Sequence, residues 1–303
     1  MLGIGPEELL DILSFFETPG GKVNVIKIMA AEGSKVSVLC IHGFCCDARI
    51  FNYASEQLAK AGYNVYSMDL PGHGMSFGKK GDLDFDACLQ SIGVVVSEIK
   101  KSSSKVFILA HSMGSTFALW YAHRFKNSID GLILLTPYIR IPGIKRSDAE
   151  PSPAAFLYLL LGRIFAPKKQ IDIRKVLPGY ARIGGSQYAR MVELETVNFD
   201  YSFRYLIDVI AQRNSRIKEL SDIQVPVFIL YGLQDRNVYP QVSEEFFKML
   251  RSADKKLSSL DCNHWFYDAI FYSQSQEYND EERKKFISSV TEWLRSTSQR
   301  SVS

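Results

Sequence analysis

The chain has 303 residues, 46% of them hydrophobic and 23% charged, and its formal net charge is +3. This length and composition are typical of one large soluble globular domain with an ample core. The small net charge, without a lysine–arginine block longer than three residues, argues against a nucleic-acid-binding protein, and no run approaches the roughly 18 apolar residues of a membrane span.

Short apolar runs alternate with amphipathic stretches along most of the chain. Seven runs rich in β-branched and aromatic residues are predicted strands: residues 22–31, 35–41, 64–68, 105–109, 131–135, 225–231 and 256–260. Five amphipathic stretches are predicted helices: residues 47–61, 85–101, 115–125, 240–251 and 279–295. The alternation predicts an α/β fold, a mostly parallel central sheet with helices on both faces. Only Glu32–Ser34 separates the first two runs, so we expect an antiparallel hairpin at one edge.

The alternation stops between residues 138 and 220. Prolines punctuate this stretch, which also contains a very apolar run at residues 154–161 and predicted helices at residues 187–197 and 203–214. We interpret it as a helical cap inserted into a single domain whose core comprises residues 1–137 and 221–303. Its most apolar side chains should face the substrate or a membrane surface, or else pack the cap onto the core. These side chains are Phe156, Leu157, Leu160 and Leu161.

Residues Ala110 to Gly114 form the motif Ala-His-Ser-Met-Gly between a predicted strand and a predicted helix. A serine in a sharp strand-to-helix turn is typical of a nucleophile elbow, which needs small residues on either side so that strand and helix can pass closely. The helix N-terminus behind the serine offers a backbone N–H group and a positive dipole end to a developing oxyanion. Ser112 is therefore the predicted nucleophile, although Ala110 stands where glycine is usual.

A carboxylate and a histidine follow the serine at the ends of later strands. Asp235 lies in the loop after the run 225–231, and His264, the only histidine after position 123, follows the run 256–260. An imidazole with an ordinary pKa of about 6.5 can take the proton of the serine and return it near neutral pH. A neighbouring carboxylate would orient that imidazole and stabilise its charged form. Ser112, Asp235 and His264 thus form a predicted catalytic triad.

Four parts of the chain resemble the serine hydrolases of the α/β-hydrolase fold, and within them the group of monoglyceride lipases, lysophospholipases and S33-type serine aminopeptidases. These parts are Leu39–Phe44, Asp69–Ser76, Ala110–Gly114 and the loops of Asp235 and His264. By this resemblance, the oxyanion hole is formed by the backbone N–H groups of Phe44 and Met113.

The resemblance also bears on other carboxylates that could be the catalytic acid and on the other histidines. Asp261 and Asp268 lie too near His264 along the chain to match the placement of the acid in this family. His42 is expected to anchor the oxyanion loop, and His111 is expected to point away from the serine in a supporting role. The histidines are scattered and show no H-E-x-x-H or C-x-x-C spacing, so neither a metal nor another cofactor is expected.

The N-terminus and the cysteines bear on the compartment. Residues 1–10 contain neither a basic stretch nor a long apolar stretch, so a secretory signal is not expected. The five cysteines are odd in number, and Cys45 and Cys46 are adjacent, which favours reduced thiols over a disulfide framework. We therefore expect a cytoplasmic protein.

Three classes of function are compatible with the sequence. The first is a serine carboxylester hydrolase that cleaves esters of an apolar acyl chain, such as monoacylglycerol or lysophospholipid, through an acyl-enzyme, with transient membrane contact through the cap. The second is another reaction of the same triad: an aminopeptidase, a C–C hydrolase or a perhydrolase. A peptidase would need an acidic anchor, for which Glu150, Glu193 and Glu195 are available. The third, a non-catalytic binding protein, is disfavoured by the intact triad.

Overall fold

An eight-stranded sheet organises the chain. The structure is a computed structural model and describes residues 13–148, 150–177, 198–210, 217–266 and 280–300. The strands of this sheet are β1 (Leu13–Thr18), β2 (Gly21–Ile28), β3 (Val36–Ile41), β4 (Asn64–Met68), β5 (Lys105–His111), β6 (Gly131–Leu135), β9 (Val227–Gly232) and β10 (Lys255–Leu260), while β7 (Gln170–Asp172) and β8 (Asp200–Ser202) form a separate pair. The order across the main sheet is β1-β2-β4-β3-β5-β6-β9-β10; β1 and β2 pair antiparallel, and pairing from β4 to β10 is parallel.

Helices cover both faces of the sheet. In chain order the described ones are α1 (Asn52–Lys60), α2 (Phe85–Lys100), α3 (Met113–Arg124), α4 (Pro153–Phe165), α5 (Ile217–Ser221), α6 (Pro240–Met249) and α7 (Asp280–Ser298). The core on one face includes side chains from α2, α3 and α6, and the core on the other includes side chains from α1 and α7. The predicted α/β fold is confirmed.

Strand β5 shows why the central strands are continuous apolar runs. Val106 and Ile108 pack into one core cluster, and Phe107 and Leu109 pack into the cluster on the opposite face. Successive side chains of a strand point to opposite faces, so the middle of a strand covered by helices on both sides is mostly apolar.

The predicted hairpin between residues 22–31 and 35–41 is wrong. Strand β2 pairs with β1 on one side and with β4 on the other, while β3 lies between β4 and β5. The connection from β2 to β3 passes the start of β4, where the Asn64 side chain accepts a hydrogen bond from Ala30 N (3.1 Å) and donates one to Ser34 O (2.9 Å). In this interior position the backbone of β3 forms hydrogen bonds with a strand on each side. At the edge of the sheet, one side of this apolar strand would have no partner strand.

The segment between β6 and β9 contains α4, the β7–β8 pair, a helical turn Phe203–Tyr205 that continues as a π-helix over Leu206–Ile210, and α5. The helix predicted for residues 187–197 lies outside the described residues, as does the end of the one predicted for residues 203–214. The division into core and cap stays a prediction. No helix in the described ranges has the length and apolarity needed to cross a bilayer.

One part of this segment is joined closely to the core. The Arg204 guanidinium binds the Asp82 carboxylate (Nε to Oδ1, 2.6 Å), and Ser202 Oγ donates to the same oxygen at 2.7 Å. Ser202 N also donates to Gly81 O at 2.8 Å. A Cβ atom at Gly81 would lie 1.8 Å from Asp200 O, so this close approach requires glycine. These contacts fix the positions of Tyr201 and Tyr205, which lie before and after Ser202 along the chain.

Candidate active site

Ser112 lies in the turn between β5 and α3, with φ 51° and ψ −117°. A non-glycine residue rarely adopts a positive φ, and such strain persists only where the surroundings hold it. Here Ser112 N donates to Leu135 O at 2.9 Å, and Ser112 O accepts from Ser115 N and Tyr138 N. A Cβ atom at Gly114 would lie 2.4 Å from Ile41 O, so α3 can begin this close to the end of β3 because residue 114 is glycine.

Four donors surround the buried carboxylate of Asp235. Oδ2 accepts from Thr136 Oγ1 and from His264 Nδ1, the latter at 2.8 Å. Oδ1 accepts from the backbone N–H groups of Asn237 and Val238, both at 2.8 Å. Because His264 carries its proton on Nδ1 in this pair, its Nε2 atom is left to accept one.

Ser112, His264, Phe44 and Met113 line one pocket, which encloses about 540 Å³ including its mouth. Asp235 lies behind His264, outside this lining. Met113 is the first residue of α3, where a backbone N–H group has no partner in the helix ladder. The structure therefore brings the three predicted triad residues and the two predicted oxyanion residues together, and their catalytic roles stay predictions.

Residues with positive φ cluster at this site. Besides Ser112, they are Cys45, which follows Phe44, Thr136, which donates to Asp235, and Phe266, two residues after His264. Among the described non-glycine residues, Asn127 is the only other one with a positive φ.

The four cap residues predicted to face the substrate are not among the side chains that line this pocket. Phe156, Leu157 and Leu161 are 37%, 55% and 45% exposed, and Leu160 is half-buried. Helix α4 turns a different face inward, with Leu159 buried and the Phe203 ring occupying the space beside Gly162. An apolar run does not reveal which side of a helix is covered, and a role of these four residues in substrate binding stays a prediction.

Six further side chains line the pocket: His111, Tyr138, Ser147, Leu177, Asn237 and Trp265. Sequence reasoning did not identify them as pocket residues, although Asn237 and Trp265 are close in sequence to Asp235 and His264. Among the described residues, the lining contains no aspartate, glutamate, lysine or arginine. Asn237 lines the pocket, and its Oδ1 atom is buried without a hydrogen-bond partner in the described part of the chain.

Glu150, a suggested anchor for a substrate amine, does not line the pocket. Its carboxylate accepts from the buried Arg146 guanidinium at 3.2 Å (Nε to Oε1). Glu193 and Glu195, the other two suggested anchors, lie outside the described residues.

His111 does not point away from the site as expected. Its ring lines the pocket, with its centroid 4.7 Å from that of His264, and its Nε2 donates to the His264 carbonyl oxygen at 3.0 Å. Burial lowers the pKa of His111 well below its usual range, so the ring is neutral. The orientation differs from the expectation because the backbone of the His264 loop packs directly against the elbow.

Two other buried histidines hold the loops around the site. His42 Nδ1 donates to Gly43 O at 2.8 Å and its Nε2 accepts from Leu70 N at 3.1 Å, which ties the loop of Phe44 to the loop after β4. His73 Nδ1 donates to Pro71 O at 3.2 Å. Burial lowers the pKa of both imidazoles, to about 3 for His73.

The low pKa of His73 predicts a loss of stability in acid. Below pH 6.5 His73 is protonated in the unfolded chain. In the folded chain it stays neutral until the pH approaches its pKa of about 3. Its contribution is therefore complete above pH 6.5 and declines as the pH falls toward 3, by on the order of 1 kcal/mol per pH unit. Urea unfolding between pH 7.5 and 4.5 should show a shallower decline for His73→Gln than for the wild type, whatever the two stabilities at neutral pH. Equal slopes would contradict the prediction.

Comparison with known proteins identifies the family. Residues 32–263 match the family described as serine aminopeptidase, S33. The thermostable monoacylglycerol lipase of Bacillus sp. (strain H-257) is 30% identical over 230 residues, which cover 76% of this chain and 82% of that relative. The caffeoylshikimate esterase of Arabidopsis thaliana is 26% identical over 297 residues, 93% and 84% of the two chains.

The fold is also that of a solved structure. The monoacylglycerol lipase of Paleococcus ferrophilus superposes with a TM-score of 0.72 at 24% identity, over 91% of this chain and 99% of that one. The chain belongs to the S33 family of α/β hydrolases and is similar to its esterases and monoglyceride lipases. The family and the enzyme class expected from the sequence are confirmed.

Proposed function

We propose that the protein is a serine carboxylester hydrolase that cleaves esters of an apolar acyl chain and a neutral alcohol, such as monoacylglycerol. One observation carries this proposal: Ser112 and His264 line the same uncharged pocket, and His264 Nδ1 is bonded to Asp235. Acyl transfer at neutral pH needs a serine with a base within reach and a third group that orients the base.

In the proposed mechanism, Ser112 Oγ attacks the ester carbonyl carbon while its proton passes to His264 Nε2. Asp235 stabilises the imidazolium, and the oxyanion accepts hydrogen bonds from the N–H groups of Phe44 and Met113, each worth about 3 kcal/mol. Collapse of this intermediate breaks the ester bond, and the departing alcohol takes the proton from His264. Water then repeats the sequence on the acyl-enzyme and releases the acid.

The uncharged lining supports a neutral substrate. An aminopeptidase binds a substrate ammonium group, which needs a carboxylate when buried, and a lysophospholipid brings a phosphate, which needs cations. The described lining supplies neither. Apolar contacts from Phe44, Leu177 and Trp265 suit an acyl chain, and the amide of Asn237 suits a hydroxyl of the alcohol. Monoacylglycerol fits these pocket residues better than a substrate of an aminopeptidase, a C–C hydrolase or a perhydrolase does.

A substrate series tests the proposal. We expect kcat/KM for p-nitrophenyl esters to rise several-fold with every two carbons of acyl chain until the pocket is full, since each buried methylene contributes up to about 0.8 kcal/mol. Monoacylglycerol should be cleaved faster than the matching lysophosphatidylcholine, and aminoacyl-arylamides should not be cleaved. Preferential cleavage of the arylamides would sink the esterase proposal.

The same series of substrates, run on Asn237→Leu, examines how the alcohol part of the ester is recognised. Leucine has nearly the same size but no polar atoms, so the ratio of kcat/KM for glyceryl over propyl esters of one acid should fall about two- to tenfold, the effect of one neutral hydrogen bond. Taking a ratio cancels any general loss of activity. An unchanged ratio would rule out contact between Asn237 and the alcohol.

The outer face of α4 supports transient contact with a membrane surface. Ile164 and Phe165 are 61% and 81% exposed, and the exposed Lys168 and Lys169 follow after two residues. An apolar helix face beside cationic residues is typical of interfacial binding to anionic lipid. Co-sedimentation with anionic vesicles should weaken when Ile164 and Phe165 are replaced by serine, and equal binding would refute this contact.

A further inference from the structure

Tyr205 contacts both residues of the proposed oxyanion hole. Its side chain is fully buried, and its hydroxyl donates to Met113 Sδ at 3.0 Å. The same hydroxyl lies 3.3 Å from His73 Nε2. The centroid of its ring is 5.6 Å from that of Phe44. One side chain from the segment between β6 and β9 thus touches the side chains of both residues whose N–H groups would bind the oxyanion.

A second tyrosine completes this packing. The Tyr201 ring lies 4.5 Å from the Phe44 ring and 4.7 Å from the Tyr205 ring, measured between centroids, and is itself fully buried. Aromatic pairs at such distances stabilise a defined arrangement beyond the area they bury. The Phe44 side chain is therefore held by two rings.

The two tyrosines are themselves held by the core. Ser202 Oγ accepts from Tyr205 N at 3.2 Å and donates to Asp82, which also binds Arg204. Tyr205 is thus fixed from its backbone through Asp82 and from its hydroxyl through Met113. A side chain anchored at both ends can hold the groups it touches.

Both proposed oxyanion donors neighbour a strained residue: Cys45, with φ 62°, follows Phe44, and Ser112, with φ 51°, precedes Met113. Backbone in this region persists only where the surroundings impose it, and an oxyanion hole works only if its donors are preorganised. We propose that Tyr205 is a positioning residue that holds the N–H groups of Phe44 and Met113 in place. The inference rests on the proposed function, because it requires an oxyanion to be bound there.

Tyr205→Phe tests this role, since it keeps the ring and removes the hydroxyl. We expect kcat for a medium-chain p-nitrophenyl ester to fall about three- to tenfold, the effect of one hydrogen bond, while KM stays within about twofold. The inhibition constant of a trifluoromethyl ketone, which forms a tetrahedral oxyanion on the serine, should rise by the same factor. A merely structural role would not move these two quantities together.

Two further variants sharpen the test. Met113→Leu removes the sulfur acceptor but keeps the backbone N–H group, so it should reproduce the loss in kcat. The double variant should lose little more than Tyr205→Phe, because Tyr205→Phe already removes the contact with the sulfur along with the one to His73. Tyr121→Phe is the matched control, because Tyr121 is a buried tyrosine of α3 that does not line the pocket. Its loss of a hydroxyl should leave kcat and the inhibition constant unchanged.

The outcomes separate the two proposals. If wild-type protein hydrolyses none of the esters, the proposed function fails and this inference fails with it. If the wild type is active but Tyr205→Phe retains its kcat, or loses kcat without weaker binding of the ketone, only the positioning role is overturned. If Tyr205→Phe does not fold, the Met113→Leu variant decides by the same two measurements.

Discussion

Ser112→Ala is expected to fold like the wild type and to lose about 10⁴-fold or more in kcat/KM for ester hydrolysis, the scale observed when a member of a catalytic triad is removed. Alanine deletes only the hydroxyl oxygen, so the turn and the bonds from its backbone to Leu135 and Ser115 can remain. Steady-state kinetics with a p-nitrophenyl ester, beside a circular dichroism spectrum, measures both expectations.

The control for this variant is Ser91→Ala, which removes a buried hydroxyl from α2, outside the pocket. Its activity should match that of the wild type. A fluorophosphonate probe should label the wild type and the control at Ser112 and leave Ser112→Ala unlabelled. Substantial turnover by Ser112→Ala would end the assignment of this serine as the nucleophile.

Asp235→Asn is expected to reduce turnover by about 10²- to 10⁴-fold. Oδ1 of Asp235 accepts two backbone N–H groups, and Oδ2 accepts from Thr136 and His264. An asparagine has one acceptor oxygen, which the two backbone donors will claim. Its NH₂ group then faces His264 Nδ1, and the imidazole must carry its proton on Nε2, where it cannot accept one from Ser112.

Asp261→Asn is the matched comparison for the acid. Asp261 is exposed, and its Oδ1 accepts from Gln234 Nε2 at 2.8 Å. We expect this variant to keep nearly all activity. A severe loss for Asp261→Asn together with a mild one for Asp235→Asn would show that the acid is misassigned, while the family would stand. Asp268, the other rival, lies outside the described residues.

Sequence reasoning works where a signal is local. The elbow at Ser112 combines an apolar strand, small residues and a helix within a few positions, and Asp235 and His264 each follow a strand directly. Strand β5 is predictable because burial on both faces makes the run Val106–Ala110 apolar throughout. In these cases one stretch of residues contains the whole physical cause.

It fails where the cause is distant. Strand β1 was missed because its alternating, half-exposed residues become a strand only beside β2, although the Pro19-Gly20 turn was an available signal. The partner of β3 depends on the whole sheet, not on the short link before it. The contacts of Tyr205 with Phe44 and Met113 span 161 and 92 positions of the chain, and no periodicity reports them.

The cluster of positive φ values has a consequence for evolution and engineering. Cys45, Ser112, Thr136 and Phe266 each hold a conformation that costs on the order of 1–3 kcal/mol, and all four flank the site. At Cys45 and Ser112, whose side chains are small, glycine would relax the chain, so a search for thermostable variants should repeatedly select these two positions; at Phe266 it would instead empty the space of a fully buried ring. Such variants would gain melting temperature as they lose turnover, which makes this centre a local conflict between robustness and catalysis.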